Sequence, residues 1–497
     1  MLETRRRYFL KLFKNTHIHP VWAMLASGLY PLLYYYDKNY AIINSKSQFF
    51  FFVFFYICLP IIFYYSSAFI ISGFKPFVKL KPYVLSMCNS TCFLLLIVIT
   101  LYGFDIIKMI IALILGLILG SIFSKYLYKI IILQLILLLL VLPKLMPDVY
   151  REIMYSKAWA KQPDAIETLT FKKTPNIYVI QPDGYANFSQ LENSNYNYGN
   201  SSFETFLSKQ GFTSYNNYRS NYASTLSSNS SMFNMKHHYY GNSTLGINPS
   251  HNSRDEIVNS NPVLRTLKHN QYTTFLMLQV PYLLANRPRV DFDNCNISLD
   301  EVSFISRGFN IEKDLLADTK AAIKQNKKTT NFFFIESMLP SHIVTHYNSA
   351  TSIENERSLY IERLKLANNW LKELILFIAK EDPNGLIILA ADHGGYVGLD
   401  YMKQSQTKQT DPLIIQSMFA SVLAIKWPDD SFTDFHKDLK SSVNLFRILF
   451  SYLADDKSYL NNLQEDKSYL VIRKGAPTGI YEFIDGHGNI VFKALEE

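Results

Sequence analysis

Cysteine is scarce in this sequence, and the few cysteines are poorly placed for a disulfide bond. The chain has four among 497 residues. Three of them, Cys58, Cys88 and Cys92, lie in strongly apolar stretches, which leaves Cys295 alone in the polar part of the chain. A disulfide within that part would need a second cysteine. We therefore expect the polar part to be held together by its apolar core.

Acidic residues are nearly absent from the first 150 residues. This part has 14 Lys and Arg against 4 Asp and Glu, a net charge of +10, and because the whole chain carries +8 the remainder carries −2. The basic charge thus belongs to the apolar part of the chain, whereas a nucleic-acid-binding domain would carry its own basic surface. No nucleic-acid partner is predicted.

Long apolar runs dominate the same 150 residues. There are five of them: Val21–Tyr36, Phe49–Ile71, Tyr83–Leu101, Met109–Phe123 and Ile130–Leu142. The second and third approach or exceed the roughly 20 residues that span a bilayer, and the others need flanking residues or a thin membrane. No small-residue cleavage site follows the first run, so it is not a removed signal peptide. We predict a transmembrane domain of about five helices over residues 1–145.

Lysine and arginine predict how this domain is oriented. Basic residues precede the first run and follow the second: Arg5, Arg6, Arg7, Lys11 and Lys14, then Lys75, Lys79 and Lys81. By the positive-inside rule both segments are cytoplasmic. The tail could instead be a solvated arm without influence on topology. With an odd number of spans, a junction at 146–173 and a domain at 174–497 lie outside the cell's inner or plasma membrane.

Residues 174–497 alternate short apolar runs with helical patterns. Five runs are predicted as buried strands: Asn176–Gln181, Tyr272–Leu278, Asn331–Glu336, Leu386–Asp392 and Met418–Trp427. Helices are predicted between and after them at 202–210, 262–270, 311–325, 355–380 and 441–453. Such alternation indicates an α/β domain with a mostly parallel sheet covered on both faces, and ligand sites in such domains lie at the carboxyl ends of strands.

A segment rich in Ser, Asn and Tyr extends from Ala186 to Asn252. Low-complexity disorder is one interpretation of this composition. Apolar residues recur within the segment, however: Phe203, Phe206, Phe212, Met232, Phe233 and Met235. These anchors favour ordered loops around a site.

Two predicted strands end in acidic residues. "NIYVIQPDG" places Asp183 after its strand, and "LIILAADHGG" places Asp392 and His393 in the same way. A single Asp at such a position is more often a helix cap or turn former. Two carboxylates and one imidazole, however, suit Zn²⁺ or Mn²⁺, and a metal beside a hydroxyl lowers its pKa and makes it a nucleophile.

These motifs and their order resemble the alkaline phosphatase and sulfatase superfamily. Together with five apolar spans they resemble its membrane-anchored branch, the lipoteichoic acid synthases and phosphoethanolamine transferases. In that branch a Thr opens a T-x-x-S pattern followed by Met, which Thr225, Ser228 and Met232 fit. The resemblance thus nominates Thr225 as nucleophile, although a neighbouring serine could take that role. Lipoteichoic acid synthases have Glu where this chain has Asp183, which leaves the metal identity open.

The resemblance implies roles for further residues. Asp183, Thr225, Asp392 and His393 would bind one divalent ion, and Thr225 would attack phosphorus to form a covalent intermediate. A His after a central strand would contact the transferred phosphate: His342 is the first candidate and His346 the second. Apart from the resemblance, closeness to Thr225 in the sequence suggests three more residues for the substrate pocket or its support, namely Ser228, His237 and His238.

One motif of the superfamily is missing. Sulfatases carry C/S-x-P-x-R, and neither Cys295 nor the region of Thr225 provides it. The leading hypothesis is therefore a transferase that moves a phosphorylated head group from a membrane phospholipid to an envelope glycan or lipid. A membrane-anchored hydrolase, either a phosphodiesterase or a sulfatase-like enzyme, is the alternative. A non-catalytic envelope scaffold is the third possibility.

Overall fold

The computed structural model describes residues 18–199, 201–238 and 252–495. The chain divides into two compact units, Met1–Tyr155 and Ser156–Glu497. The basic tail that carries Arg5, Arg6, Arg7, Lys11 and Lys14 lies outside the described residues, so its cytoplasmic location stays a prediction.

The described part of the first unit is helical. Its main helices are α1 (Pro20–Ile43), α2 (Lys46–Gly73), α3 (Val84–Tyr102), α4 (Ile106–Ile122) and α5 (Ser124–Met154). Each predicted apolar run falls within one of them to within one residue. Helices α2, α3 and α5 are long and apolar enough to cross a membrane, whereas α4 is a shorter apolar helix. The count of five spans therefore remains a prediction.

Small residues allow α3 and α4 to pack closely. Gly116 and Gly120 are buried one turn apart on α4. A Cβ atom at Gly116 would lie 2.4 Å from the Cα of Thr91, and one at Gly120 would lie 2.4 Å from the Cα of Met87. Small residues at this spacing let two helices approach backbone to backbone.

The second unit contains a seven-stranded sheet and a smaller three-stranded sheet. The strands are β1 (Ile177–Pro182), β2 (Phe212–Ser214), β3 (Thr273–Leu278), β4 (Asn294–Cys295), β5 (Asn331–Ser337), β6 (Leu386–Ala390), β7 (Leu423–Lys426), β8 (Ser468–Ile472), β9 (Gly479–Ile484) and β10 (Ile490–Ala494). The large sheet has the order β2-β7-β6-β1-β5-β3-β4, and the small one β10-β9-β8. Strands β6, β1, β5, β3 and β4 are parallel to one another.

Helices cover both faces of the large sheet. They are α6 (Phe188–Leu191), α7 (Ser201–Lys209), α8 (Thr225–Asn234), α9 (Ser253–Val258), α10 (Pro262–His269), α11 (Leu315–Gln325), α12 (Ile353–Glu381), α13 (Pro412–Phe419) and α14 (Leu445–Ala454). Alternate residues of β1 enter two separate cores, with Val179 in one and Ile180 in the other. A strand that is buried on both faces is a continuous apolar run in the sequence, and this pattern predicts β1, β5 and β6.

The prediction of a strand over Met418–Trp427 is wrong in part. Helix α13 includes Met418 and Phe419, and the strand β7 is only Leu423–Lys426. Asp411 caps this helix and Pro412 begins it, a start signal that the apolar run concealed. Strand β7 also runs antiparallel to β6, so the sheet is mixed although mostly parallel.

The Ser-, Asn- and Tyr-rich segment contains α6, α7, β2 and α8. Its apolar anchors Phe203, Phe212 and Phe233 are buried in the cores of the second unit. Within the described part of this segment the expectation of ordered structure is therefore met, whereas residues 239–251 lie outside the described range.

Candidate active site

Three neighbouring strands place the candidate residues at one edge of the sheet. Strand β1 lies between β6 and β5, and all three are parallel. Asp183 follows β1, while Asp392 and His393 follow β6. All three side chains are buried, and one ligand atom from each lies within 4.8 Å of the others. Parallel topology thus brings together residues that are about 200 positions apart in sequence.

Thr225 lies against this cluster as the first residue of α8. Its hydroxyl oxygen Oγ1 is 3.3 Å from Asp183 Oδ1 and 3.5 Å from His393 Nε2. Ser224 is extended, with φ of −167°, and its carbonyl oxygen accepts the first helical hydrogen bond, from Ser228 N. The first amide groups of a helix have no carbonyl partner within the helix and favour a nearby anion. Thr225 therefore combines a hydroxyl with the electropositive end of a helix.

The imidazole of His393 has a fixed orientation. Its Nδ1 donates to the Gly394 carbonyl oxygen at 2.8 Å. Nε2 then faces the carboxylates, 3.4 Å from Asp392 Oδ2 and 3.5 Å from Asp183 Oδ1. Burial lowers the pKa of His393, but the charges of Asp392 and Asp183 and the hydrogen bond to Gly394 raise it, and the net shift is upward. A backbone acceptor on the far nitrogen is the usual support for a histidine that ligates a metal.

The surroundings of Asp392 suit a bound cation. Its Oδ1 accepts a hydrogen bond from Gly184 N at 3.2 Å. Its Oδ2 is buried and receives no hydrogen bond of ordinary geometry from the described residues. Burial raises the pKa of Asp392, and the negative charge of Asp183 adds to the shift, with His393 opposing it. A buried carboxylate oxygen without a donor, beside a second carboxylate and an imidazole, is the donor set that a divalent metal completes.

The turn after β1 depends on a glycine and a tyrosine. Gly184 has a φ of +66°, and a Cβ atom there would lie 2.6 Å from the carbonyl oxygen of Ser341. The Tyr360 hydroxyl donates to the Gly184 carbonyl oxygen at 2.9 Å and accepts from Ala186 N at 3.0 Å. Only glycine meets both the backbone and the space requirement here, so the turn that presents Asp183 is fixed.

His342 lies beside the cluster, on the loop after β5. Its ring centroid is 5.8 Å from that of His393. Nδ1 donates to the Ile343 carbonyl oxygen at 2.5 Å, and Arg363 donates to the carbonyl oxygens of Pro340 and His342. Burial and the neighbouring His393 lower the pKa of His342 to about 4. Nε2 is therefore the ring nitrogen that is available to contact a substrate.

The other predicted residues have different surroundings. Ser228 is buried, and its hydroxyl donates to the Tyr222 carbonyl oxygen at 2.7 Å. His237 is buried between the Tyr222 hydroxyl, at 2.9 Å, and the Glu465 carbonyl oxygen, at 2.7 Å. His238 is buried with Nδ1 3.2 Å from the Ser230 hydroxyl. His346 is exposed. The candidate metal-ligand cluster consists of Asp183, Asp392 and His393. The structure brings none of Ser228, His237, His238 and His346 into it.

Sequence analysis missed two residues near the cluster. Glu336 is buried near the end of β5, where burial and the charges of Asp392 and Asp183 raise its pKa well above the usual value. The Tyr396 ring lies 5.5 Å from that of His393, and its hydroxyl donates to the Ala223 carbonyl oxygen. Glu336 lies near the end of an apolar strand, much as the two aspartates follow theirs. The sequence therefore contained a signal for this residue. Tyr396 had none, because its contact spans more than 170 residues.

Comparison with known proteins finds similarity only among solved structures. No family model and no curated protein matches the chain. The C-terminal periplasmic domain of EcEptC from Escherichia coli in complex with Zn is 13% identical, with a TM-score of 0.41 and coverage of 64% of this chain and 93% of that chain. Lipoteichoic acid synthase LtaP from Listeria monocytogenes is 14% identical, with a TM-score of 0.41 and coverage of 66% and 90%.

A third match includes membrane helices. The integral membrane protein lipooligosaccharide phosphoethanolamine transferase A from Neisseria meningitidis is 10% identical, with a TM-score of 0.39 and coverage of 87% of this chain and 95% of that chain. The solved structures to which this chain is similar thus include a phosphoethanolamine transferase and a lipoteichoic acid synthase, the two kinds of enzyme that the sequence motifs resemble.

Proposed function

We propose that this protein is a metal-dependent transferase that moves a phosphorylated head group, of phosphoethanolamine or phosphoglycerol type, from a membrane phospholipid to an envelope glycan or lipid. The observation that carries this proposal is the convergence of the Thr225 hydroxyl, two buried carboxylates and an oriented imidazole at one edge of the sheet. A nucleophile, a metal-ligand set and a helix amino terminus in one place suit phosphoryl transfer.

Asp183, Thr225, Asp392 and His393 would hold one divalent ion, Zn²⁺ or Mn²⁺. When bound, the ion lowers the pKa of the hydroxyl it contacts and offsets negative charge on phosphate oxygens. The residues themselves would supply two carboxylate oxygens, one hydroxyl oxygen and one imidazole nitrogen, donor atoms of the kinds that Zn²⁺ and Mn²⁺ accept.

Thr225 carries the transferred group between two substrates. Its oxygen forms a bond to phosphorus and releases its proton to water, while the bond from phosphorus to the diacylglycerol oxygen breaks and that oxygen gains a proton. The amide groups at the start of α8 lie beside this position, where they would donate to phosphate oxygens. The head group is then held on the protein as a phosphothreonine ester while the diacylglycerol departs.

The acceptor hydroxyl attacks in the second step. Its oxygen forms the new bond to phosphorus, the bond to the Thr225 oxygen breaks, and Thr225 regains a proton. His342 suits the removal of the acceptor's proton, since its Nδ1 is used by Ile343 and its Nε2 faces away from that bond. Ser228 and His237 support this site through Tyr222, which precedes the nucleophile by three residues.

The membrane helices suit a lipid donor. Three helices of the first unit are long and apolar enough to cross a bilayer. A soluble phosphatase would need no such anchor. We assign residues 1–145 to a transmembrane domain of about five spans, 146–173 to a junction and 174–497 to an extracytoplasmic domain of a bacterial inner or plasma membrane.

A hydrolase would use the same cluster with water as the acceptor, because the residues that activate the ester do not select the second substrate. The two functions differ in the ratio of labelled glycerol ester to free head-group phosphate among the products. Full-length protein in nanodiscs is given phospholipid with a labelled head group, a divalent metal and increasing glycerol as a model acceptor. A transferase yields labelled glycerol ester in proportion to glycerol, whereas a hydrolase yields free head-group phosphate throughout.

Two variants complete this experiment. Thr225→Ala should abolish both products, and Thr225→Ser should retain part of the activity because it keeps the hydroxyl. Exposed His269 provides a matched surface control, and His269→Gln should behave as wild type. Metal-loaded wild type that leaves the donor intact would contradict both catalytic functions and favour the scaffold.

A further inference from the structure

A polar cleft of about 800 Å³ lies in the second unit, outside the metal-ligand cluster. Residues 215–219, which follow β2, form one wall, and a second wall is formed by His436, Lys437, Leu439 and Lys440. Strand β2 is antiparallel to β7, which is antiparallel to β6, so β2 ends at the same edge of the sheet as β6. Two strand spacings separate β2 from β6, about 10 Å. The cleft therefore opens along the edge that carries Asp392 and His393.

Short connections join the cleft to the cluster. The Asn187 side chain, four residues after Asp183, donates to the carbonyl oxygens of Tyr215 and Ser421, each at 3.0 Å. The amide of Gly394, next to His393, donates to the Met418 carbonyl oxygen at 3.0 Å, and the neighbouring Gln416 and Ala420 line the cleft. The two sites thus share the end of α13 and the loop after β1.

The chain also leads directly from the cleft to Thr225. Arg219 N donates to the Lys440 carbonyl oxygen at 3.1 Å, and Ser442 N donates to the Arg219 carbonyl oxygen at 3.2 Å. The Asn221 side chain then accepts from Val443 N at 2.8 Å. These bonds fix one cleft wall against the segment that begins α8.

The charge of the cleft has one sign. Among the described residues that line it there is no Asp or Glu, while Arg219, Lys437 and Lys440 are cationic and His436 and His487 are also present. A cleft whose charged side chains are all cationic concentrates anions. Its remaining polar lining includes the exposed amides Asn216 and Asn217, which can hydrogen-bond to hydroxyl groups.

Lys437 and Lys440 are the cations that remain for a ligand. Both are exposed, and neither forms an ion pair within the described part of the chain. Arg219 differs, because it is buried and its guanidinium donates to the carbonyl oxygens of Asp466 and Asp485. Arg219 therefore holds the cleft together, while the two lysines act as point charges that suit phosphate groups.

We propose that this cleft binds the acceptor, and that the acceptor is a phosphate-bearing, hydroxyl-rich chain. That the ligand is the acceptor rests on the proposed function, but the binding of a phosphorylated chain can be measured without any transfer. A ligand that lies along the cleft with its phosphates at Lys437 and Lys440 would extend one end along the sheet edge toward β6, which is about 10 Å from β2, and so toward the cluster that includes Thr225.

Binding of fluorescent short-chain polyphosphate to the full-length protein in phosphatidylcholine nanodiscs tests this inference. EDTA is present so that no metal at Asp183, Asp392 and His393 contributes to binding. We expect Lys437→Gln with Lys440→Gln to weaken binding about fivefold, since two exposed charge contacts are lost. The matched control is Lys328→Gln with Lys380→Gln, which removes the same charge just before β5 and shortly before β6, at the opposite edge of the sheet.

The outcomes separate this inference from the proposed function. Equal binding by wild type and both double variants would overturn the cleft assignment. A loss of affinity for phosphatidylglycerol vesicles without a loss for polyphosphate would also overturn it, because the anion would then be a lipid head group. Thr225→Ala should retain polyphosphate binding. A loss of covalent transfer is therefore tested with the Thr225 variant, and a loss of polyphosphate binding with the lysine variants.

Discussion

The carboxylate of Asp392 divides its two oxygens between structure and chemistry. Oδ1 accepts from Gly184 N and so ties the end of β6 to the turn after β1. Oδ2 points into the cluster, 3.4 Å from His393 Nε2. Removing the charge while keeping the shape should therefore affect ligand binding far more than folding.

This division predicts the metal content of variants. Wild type should bind one divalent ion per chain, and Asp392→Asn should weaken that affinity more than about 100-fold, since loss of an outer-shell partner alone weakens it 10- to 100-fold. Metal analysis after dialysis, followed by titration calorimetry, measures both. Asp300→Asn is the matched control, because Asp300 is exposed, and it should retain the ion. Equal affinity in the two variants would remove Asp392 from the ligand set.

The proximity of the two aspartates was predictable because both follow buried parallel strands. The T-x-x-S motif predicts Thr225 as the nucleophile of a hydroxyl-rich segment, whereas composition does not distinguish it from Ser224 or Ser227. The structure places Thr225 Oγ1 at the cluster, whereas the Ser228 hydroxyl bonds back to Tyr222. Which hydroxyl of a helix faces a site depends on where the helix begins, and that position is set by tertiary contacts.

Helix α8 is anchored through the segment before and after it. The His237 ring lies between the Tyr222 hydroxyl and the Glu465 carbonyl oxygen, so it joins the approach to the nucleophile to the chain near β8. The carbonyl only accepts, so Nε2 donates to it and Nδ1 accepts from Tyr222. Protonation at Nδ1 would replace that acceptor with a second donor.

This arrangement predicts acid sensitivity. Burial lowers the pKa of His237 from 6.5 to about 4. The neutral ring stabilises the fold fully above about pH 6.5, and the stabilisation, up to about 3 kcal/mol, is lost as pH falls from 6.5 toward 4 because the unfolded state binds the proton first. Thermal unfolding of full-length His237→Gln should show a smaller decline over this interval than wild type. An unchanged pH slope would refute the role of His237.

Close packing of α3 and α4 predicts a steric effect. Gly116→Val should destabilise the first unit by about 1–3 kcal/mol, because its Cβ would lie 2.4 Å from the Cα of Thr91. Ile118→Val on the same helix is the control, since Ile118 is half exposed. Thermal unfolding in nanodiscs compares them. Equal melting temperatures for the two variants would exclude this helix contact.

In the second unit, α7, α10, α11, α12 and α14 and the central strands followed from the sequence pattern, but four further helices and the edge of the sheet did not. Strands β1, β3, β5 and β6 lie where continuous apolar runs predicted them. Strand β2 has three residues and β4 has two, too few to give a pattern. Strand β7 was merged with α13 because both are apolar, and its antiparallel direction depends on a connection that local sequence does not encode.

One polypeptide contains both apolar helices and a polar cluster that suits phosphoryl transfer. A lipid donor and a polar acceptor occupy different environments, so an enzyme that serves both benefits from holding the group between two separate encounters. Thr225 is the residue that would hold it. The central claim is therefore a covalent bond at one oxygen atom.

Mass spectrometry of that bond is the most direct test. Full-length wild type and Thr225→Ala, in nanodiscs with donor phospholipid and Zn²⁺ or Mn²⁺, are quenched in acid, weighed intact and mapped by peptide. We predict a metal-dependent adduct with the mass of the phosphorylated head group on Thr225, absent from the variant and from samples with chelator. An adduct on a neighbouring serine, or donor consumption by wild type without any adduct, would contradict the assignment.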